Sequence, residues 1–495
     1  MLSLRNKRES LTLFNAPLVF FILVTITMCR IYALHVSPIE LSVDEAQYWH
    51  WSRHLDFGYF TKPPLIAWII AFTTSIFGNE EWAVRIFSPI IHLLISFILW
   101  MTAKFIFDSK SGKIAAIIWI FTPAASLGGF IMSTDTPLLF FWSLSLYFLL
   151  LTLRQNSSIT SIIAGIFLGL AFLSKYAALY FLIFFIIWWL VYDRNYFLSV
   201  TNILLIILTS IVVTSSNLYW NYLNDFVTVN HTISNANLSE IILNYENVID
   251  FLLSQFLVFG PLLFLIYLLI IIDSFFKNKD TSLLAMISFP IIILITIQSF
   301  LKIANANWAV TSYIGGTILI SYYVTIKKYK FLKTFFYLGL LLNIALSVYI
   351  LKISISGSFY PLDLKSNPLR KNLGFENLAI KIHDIFIKEN ISKIIFEKRG
   401  DISRFNYYLS RYNENYKDKI YIKSSNLIPK NFYQQKLNYD LALKNSGEKI
   451  LIVMNISDLK TNTYNLDEIQ LLKSISTKTV KNIEKTYYLY SGKVK

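Results

Sequence analysis

Eleven apolar runs constrain this chain more than any other feature of its sequence. They lie near residues 12–33, 81–106, 114–131, 137–153, 160–174, 177–192, 197–217, 251–272, 282–301, 308–326 and 331–350. A bilayer core takes about 20 apolar residues of helix, because it holds no water to satisfy an open backbone. Residues 1–351 carry 20 Lys+Arg and 16 Asp+Glu, whereas the 144 residues of 352–495 carry 25 and 14. The expected fold is an α-helical polytopic membrane domain of about 11 transmembrane helices over 1–351, followed by a small α/β domain facing water over 352–495. Overall, 55% of residues are apolar and only 15% are charged, against about 25% charged in soluble domains. That balance excludes a wholly soluble enzyme, a disordered chain and a secreted disulfide scaffold. The single cysteine, Cys29, leaves neither a disulfide nor a cysteine-based metal site. The first run is too long for a removable signal peptide and no small-residue cleavage site follows it, so it reads as a retained helix.

The net charge of +15 is not accompanied by a nucleic-acid-binding motif, and much of it flanks the apolar spans, where topology accounts for it. With the N-terminus cytoplasmic, 14 of the 20 basic residues of 1–351 fall on the inner side. The other six are Arg30, Arg53, Lys62, Arg85, Lys175 and Lys302. They fall at the outer, periplasmic face, together with the C-terminal domain. Two outer loops, 34–80 and 218–250, are long enough to carry chemistry. The stretch Asp44–Leu55 of the first is aromatic and amphipathic, which suits a helix lying along the membrane surface. The tail shows a helix-like stretch at 378–389 and short β-rich runs at 393–397, 419–422 and 450–454, with no phosphate-binding glycine loop and no zinc pattern.

Ionisable groups at membrane depth are costly unless they are paired or used. The first loop opens with Val43-Asp44-Glu45-Ala46-Gln47-Tyr48-Trp49. The two carboxylates there suit catalysis or substrate binding, and helix capping by Ser42 and Asp44 competes. Gly58-Tyr59-Phe60-Thr61-Lys62-Pro63-Pro64-Leu65 follows. It presents an ammonium before two prolines that stiffen the backbone, an arrangement suited to a phosphate. Snorkelling to the interface is the competing reading for Lys62. Arg53, between the motifs, could supply a second positive charge or simply stack on an aromatic ring. In Ser133-Thr134-Asp135-Thr136-Pro137, Asp135 is either a further site carboxylate or a helix start. Lys175, the segment Lys302 to Trp308 with Asn305 and Asn307, and His231, Asn235 and Asn237 of the second long loop complete an outward-facing set. Carboxylates, cations and aromatic rings gathered at one surface suit a substrate carrying sugar and phosphate on a lipid tail. Asp44, Glu45 and Asp135 could hold a hard divalent cation, although no spacing demands one.

DEAQYW, GYFTKPPL and STDTPLLFFW, in this order, resemble the family 39-type, C-superfamily integral-membrane glycosyltransferases, which include protein O-mannosyltransferases and bacterial lipid A aminoarabinose transferases. The resemblance covers residues 40–320. It implies a GT-C-like fold and inverting transfer of a sugar from a polyprenyl (undecaprenyl) phosphate donor to lipid A or another envelope glycan. The reaction would take place at the periplasmic face of the bacterial inner membrane. It also implies that Asp44 is the first-loop catalytic aspartate, that Lys62 with Tyr59 lies in the segment that contacts the donor phosphate, and that Asp135 is the second aspartate, near the acceptor or a bound ion. The residues themselves add Glu45 to the expected catalytic carboxylates, and Arg53 and Lys175 to the expected donor-phosphate contacts. His231, Asn305, Asn307 and Trp308 are candidates for acceptor or sugar contacts. Thr61 stands where the aminoarabinose transferases carry an acid beside the lysine, and the stretch between Asp44 and Lys62 is short. Protein O-glycosylation is the nearest enzymatic alternative. A lipid-linked sugar transporter or flippase would carry its ionisable residues near the bilayer midplane, whereas these cluster at one outer surface. A third reading makes the tail a partner-binding module on an inert anchor.

Overall fold

The computed structural model describes residues 15–192, 198–236, 244–326, 330–359, 368–413, 416, 418–423, 429–439, 447–457, 464, 466–479 and 483–494. Asn237 lies outside the described residues, as do six of the 14 basic residues counted on the inner side (Arg5, Lys7, Arg8, Arg194, Lys327 and Lys328) and the side chain of Asn235.

In chain order the first helices are α1 (Ala16–Val36), α2 (Val43–Ser52), α3 (Leu65–Phe77), α4 (Glu81–Arg85), α5 (Phe87–Ile106), α6 (Ser109–Phe121) and α7 (Pro123–Gly128). They are followed by α8 (Asp135–Gln155), α9 (Ser158–Ser174), α10 (Leu179–Tyr192), α11 (Val200–Leu223), α12 (Val227–Ala236), α13 (Tyr245–Phe259) and α14 (Pro261–Lys277). Next come α15 (Lys279–Met286), α16 (Phe289–Ser299), α17 (Ser312–Tyr323) and α18 (Lys330–Ser356). The tail adds α19 (Phe375–Lys388), β1 (Lys393–Phe396), α20 (Arg399–Tyr412), β2 (Ile420–Ile422), α21 (Phe432–Lys436), β3 (Lys449–Met454), β4 (Leu466–Thr479) and β5 (Ile483–Val494).

Among the described residues, each of the eleven apolar runs is largely helical. Among the described residues, six helical stretches are long and apolar enough to cross a membrane, or seven if the α13–α14 pair is one span. The run expected as one span over 251–272 is broken, because α13 and α14 meet at 106°. Gly260 takes φ +101, a conformation open to glycine, and Pro261 starts the next helix where a missing N–H costs nothing. The buried Asn343 amide donates to the freed Phe259 carbonyl (3.1 Å), as an exposed backbone group at membrane depth requires. The loop expected over 218–250 is largely helix too, taken up by the end of α11, by α12 and by the start of α13.

The chain divides into two compact units. One comprises Met1–His35, Lys62–Ile66 and Arg85–Lys352; the other comprises Val36–Thr61, Ala67–Val84 and Ile353–Lys495. The first is a helical body around one apolar core that draws residues from Val19 to Leu340. Its closest helix packing uses Gly165 and Gly169 of α9, spaced four apart so that both face α11. A Cβ on Gly169 would stand 2.6 Å from the Val213 Cβ, so these backbones approach only because both residues are bare.

The second unit joins most of the first long loop to the tail. Its five-stranded sheet has the order β2-β1-β3-β5-β4, with β1 parallel to β2 and β3, and with β5 antiparallel to β3 and β4. β1 and β3 are buried nearly throughout, which is why they read as continuous apolar runs. α2 does not lie exposed along a membrane surface: Glu45 to Ser52 are all buried. Within this unit α2 packs on α20, where the Trp49 ring meets Tyr407 edge-on at 5.0 Å and Asn406 Nδ2 lies 2.8 Å from His50 Nδ1. Its aromatic face is satisfied by protein, so it needs no headgroup layer. Glu40 closes the N-terminus of α19 by accepting from Phe375 N (2.7 Å) and Glu376 N (3.0 Å).

Candidate active site

In the helical unit, three segments distant in sequence meet at Asp135. The residue is buried and starts α8, and its carboxylate oxygens accept from Lys175 and Asn307. Lys175 Nζ donates to Asp135 Oδ1 at 2.7 Å, and Asn307 Nδ2 donates to Oδ2 at 2.5 Å. Lys175 can reach it because α9 stops there: Lys175 is its C-cap residue and is extended (φ −163). Asn307 sits in a 3-10 turn, Ala306–Ala309. That turn is braced from α13, because Gln255 Nε2 donates to the Ala306 carbonyl (3.2 Å) while its Oε1 accepts from Tyr313 (2.7 Å). Beyond Lys175, the Tyr176 hydroxyl donates to Asn217 Oδ1 (2.9 Å) and accepts from Asn221 Nδ2 (3.0 Å).

Charge-assisted hydrogen bonds of this kind are short and directional, and they hold both heads in place. With side-chain exposures of 18% for Lys175 and 12% for Asp135, the pair is shielded while still reachable from outside. Both carboxylate oxygens already accept N–H donors, so Asp135 serves as an anionic hydrogen-bond node. Among the described residues no group of three or more His, Cys, Asp or Glu could hold a metal ion. Lys62 belongs to this unit and is half-buried before the two prolines. Asn305 is exposed, Trp308 is half-buried against the core, and His231 is half-buried on α12.

In the loop-and-tail unit, Asp44 lies in the first turn of α2 with its side chain 61% exposed, and it is ion-paired with Arg399 Nη2. Arg399 Nε also donates to Gln47 Oε1 at 2.7 Å, so one guanidinium ties two positions of α2 to the start of α20. No feature of the sequence singles out Arg399, because its partner lies 355 residues away. Three expected site residues do other work. Glu45 is buried and closes a capping box, its carboxylate accepting from Ser42 N (3.0 Å) while Ser42 Oγ accepts from Glu45 N (3.3 Å). Tyr59, expected at the donor phosphate, stacks on Trp51 at 4.5 Å. Its hydroxyl lies 3.1 Å from the Trp51 and His54 carbonyls and accepts from Asp56 N, and burial pushes the phenol up from its ordinary value. Arg53 bonds Ser52 Oγ and Thr74 Oγ1, lies over the Trp49 ring at 5.2 Å and lines a cavity of its own.

With the geometry in place, known proteins supply the relationship. Residues 61–220 match the family of dolichyl-phosphate-mannose-protein mannosyltransferases. The chain is 30% identical over 413 residues to the lipid A galacturonosyltransferase RgtD of Rhizobium johnstonii, covering 83% of this chain and 85% of that protein. It belongs to the C-superfamily of integral-membrane glycosyltransferases. It is thus a multi-pass membrane enzyme that transfers sugar. In fold it is similar to ArnT of Cupriavidus metallidurans, solved bound to undecaprenyl phosphate (TM-score 0.67, 13% identity, 95% of this chain and 97% of that one). It is also similar to the archaeal oligosaccharyltransferase AglB of Archaeoglobus fulgidus (TM-score 0.52, 12% identity, 89% and 70%). Sequence likeness to this glycosyltransferase family spans both structural units, so the tail belongs to the shared architecture.

Proposed function

We propose that this glycosyltransferase moves a sugar from a polyprenyl phosphate to lipid A at the periplasmic face of the bacterial inner membrane, with its N-terminus cytoplasmic and its C-terminal unit outside. The observation that carries this reading is the 30% identity to RgtD over 83% of the chain, with ArnT, solved with undecaprenyl phosphate, as the fold relative. In the reaction an acceptor oxygen attacks the anomeric carbon from the face opposite the lipid phosphate. The bond from that carbon to the phosphate oxygen breaks, the electron pair leaves with the phosphate, and the acceptor proton passes to a carboxylate. Lys62 and Lys175 offset the charge that builds on the departing phosphate. Asp44 receives the proton of a hydroxyl acceptor, or orients an acceptor that is already ionised. Asp135, fixed by Lys175 and Asn307, holds the substrate's polar groups in register. Asn305, Trp308 and His231 contact the sugar or the acceptor. Glu45, Tyr59 and Arg53 stay out of the reacting set, since each is committed elsewhere.

Purified full-length protein should convert a polyprenyl-phosphate-linked sugar plus lipid A into glycosylated lipid A and free polyprenyl phosphate. Galacturonosyl is the first sugar to test. Transfer to a Ser/Thr-rich peptide and not to lipid A would replace this reading with protein O-glycosylation.

A further inference from the structure

The Asn307 arm of the Asp135 node stands on a 3-10 turn of four residues, Ala306–Ala309. Such a turn has few bonds of its own and poorer hydrogen-bond geometry than an α-helix, and Asn307 is exposed. A carboxylate held from so short a turn shifts unless the turn is tied to something rigid. The tie is Gln255, fully buried on α13. Its Nε2 donates to the Ala306 carbonyl at 3.2 Å, with Phe251 O and Ser254 Oγ of its own helix also in reach at 3.1 and 3.0 Å. The Ala306 carbonyl belongs to the peptide group that leads into Asn307, so this bond fixes the plane from which the Asn307 side chain reaches Asp135. Gln255 is held in turn. Its Oε1 accepts from the buried Tyr313 hydroxyl at 2.7 Å, and the Tyr313 ring stacks on Phe259 at 4.3 Å. Phe259 is the last residue of α13, one turn beyond Gln255 and directly before the break at Gly260.

A polar pair buried at membrane depth is expensive, and an apolar pair of the same shape would fill the space as well. What an apolar pair would lack is the bond to Ala306. We infer that Gln255, fixed by Tyr313, is a positioning residue for the transfer reaction: it holds Asn307, and through Asn307 the Asp135 carboxylate, in register with the substrate. The inference rests on the proposed reading of Asp135 as part of the site.

The test is steady-state kinetics and thermal unfolding of purified full-length protein, with an undecaprenyl-phosphate-linked galacturonosyl donor and lipid A. The variant Gln255→Leu/Tyr313→Phe removes both members of the buried pair, so neither is orphaned in the core, and such a double replacement is close to neutral for folding. Its unfolding midpoint should match the wild type. Its donor KM should stay within about twofold and its kcat should fall about tenfold, as when a group made rigid for the reaction loses its register. In an Asp135→Asn background the same two substitutions should lower kcat by less than about threefold, because the group they position has lost its charge. Full kcat in Gln255→Leu/Tyr313→Phe, with turnover lost in Asp135→Asn, would overturn the inference and leave the reading of Asp135 standing. Full kcat in Asp135→Asn would overturn both. Equal losses in the two backgrounds would show that Gln255 does not act through Asp135, and a loss of turnover that follows a lowered unfolding midpoint would assign Gln255 to folding; either result overturns the inference.

Discussion

Each oxygen of the Asp135 carboxylate is held by a donor from a different segment, Lys175 on one side and Asn307 on the other. Asp135→Asn keeps the shape, removes the charge and leaves the Lys175 ammonium without its counter-charge. Transfer should fall by roughly 10²-fold, the order seen when a fixed polar group of an active site is removed, and steady-state kinetics on purified protein will read it. The double variant Asp135→Asn/Lys175→Met removes the orphaned charge. It should regain thermal stability relative to the single variant without regaining turnover, which separates folding from chemistry. Arg399 is ion-paired with Asp44, so on the proposed reading it is a positioning residue. Arg399→Gln should lower kcat about tenfold with donor KM nearly unchanged, and Arg399→Lys should recover part of the loss; a rise in KM alone would assign Arg399 to donor binding. The motif residues of the Asp135 cluster were legible in sequence because charge at membrane depth needs a reason. Arg399 was not, because an ordinary surface-type arginine in a tail without motifs carries no signal until the fold delivers it to α2. Glu45 and Tyr59 are harder to read from sequence for the opposite reason, since capping and loop-pinning use the same residue types as catalysis.

At the scale of elements, α9 depends on bare backbone against α11. Gly169→Val would drive a branched side chain into Val213. It should cost about 1–3 kcal/mol, the usual penalty of overpacking, seen as a lower unfolding midpoint in detergent. In the other unit, β5 places Lys485 over the Phe375 ring at 3.9 Å, with Nζ donating to the Leu373 carbonyl at 2.8 Å. Burial, with Arg404 nearby, lowers the Lys485 ammonium from 10.5 to about 8. Between those values the unfolded chain carries the proton and the folded chain does not, so this group's contribution to stability rises with pH from about 8 to 10.5. Lys485→Met should remove that rise, measured as unfolding midpoints of variant and wild type across the interval. The apolar spans, α19 and β1 to β3 were readable from hydrophobic runs and period. β4 and β5 were not: their alternation of apolar and charged residues, as in Leu-Asp-Glu-Ile-Gln, has a solvated face and resembles a loop. The break at Gly260 was hidden because two apolar helices in series have the hydropathy of one.

For the whole molecule, the division into units changes what the tail is for. The first long loop does not fold alone, because α2 buries its aromatic face within the same unit as α20. The tail therefore helps to fold the segment that carries Asp44, and α20 supplies that residue's ion-pair partner. Apolar runs revealed the membrane body and a change in charge density revealed the tail, whereas pairings between residues hundreds of positions apart are set by packing that no local pattern records. On the proposed reading, this membrane glycosyltransferase decorates lipid A and Asp44 is essential to the step. Mass spectrometry of lipid A from the native host tests it most directly, comparing cells carrying the wild-type protein with cells carrying Asp44→Asn at equal protein level. The expected outcome is the loss of a single sugar mass from lipid A in the variant. An unchanged lipid A spectrum would contradict it.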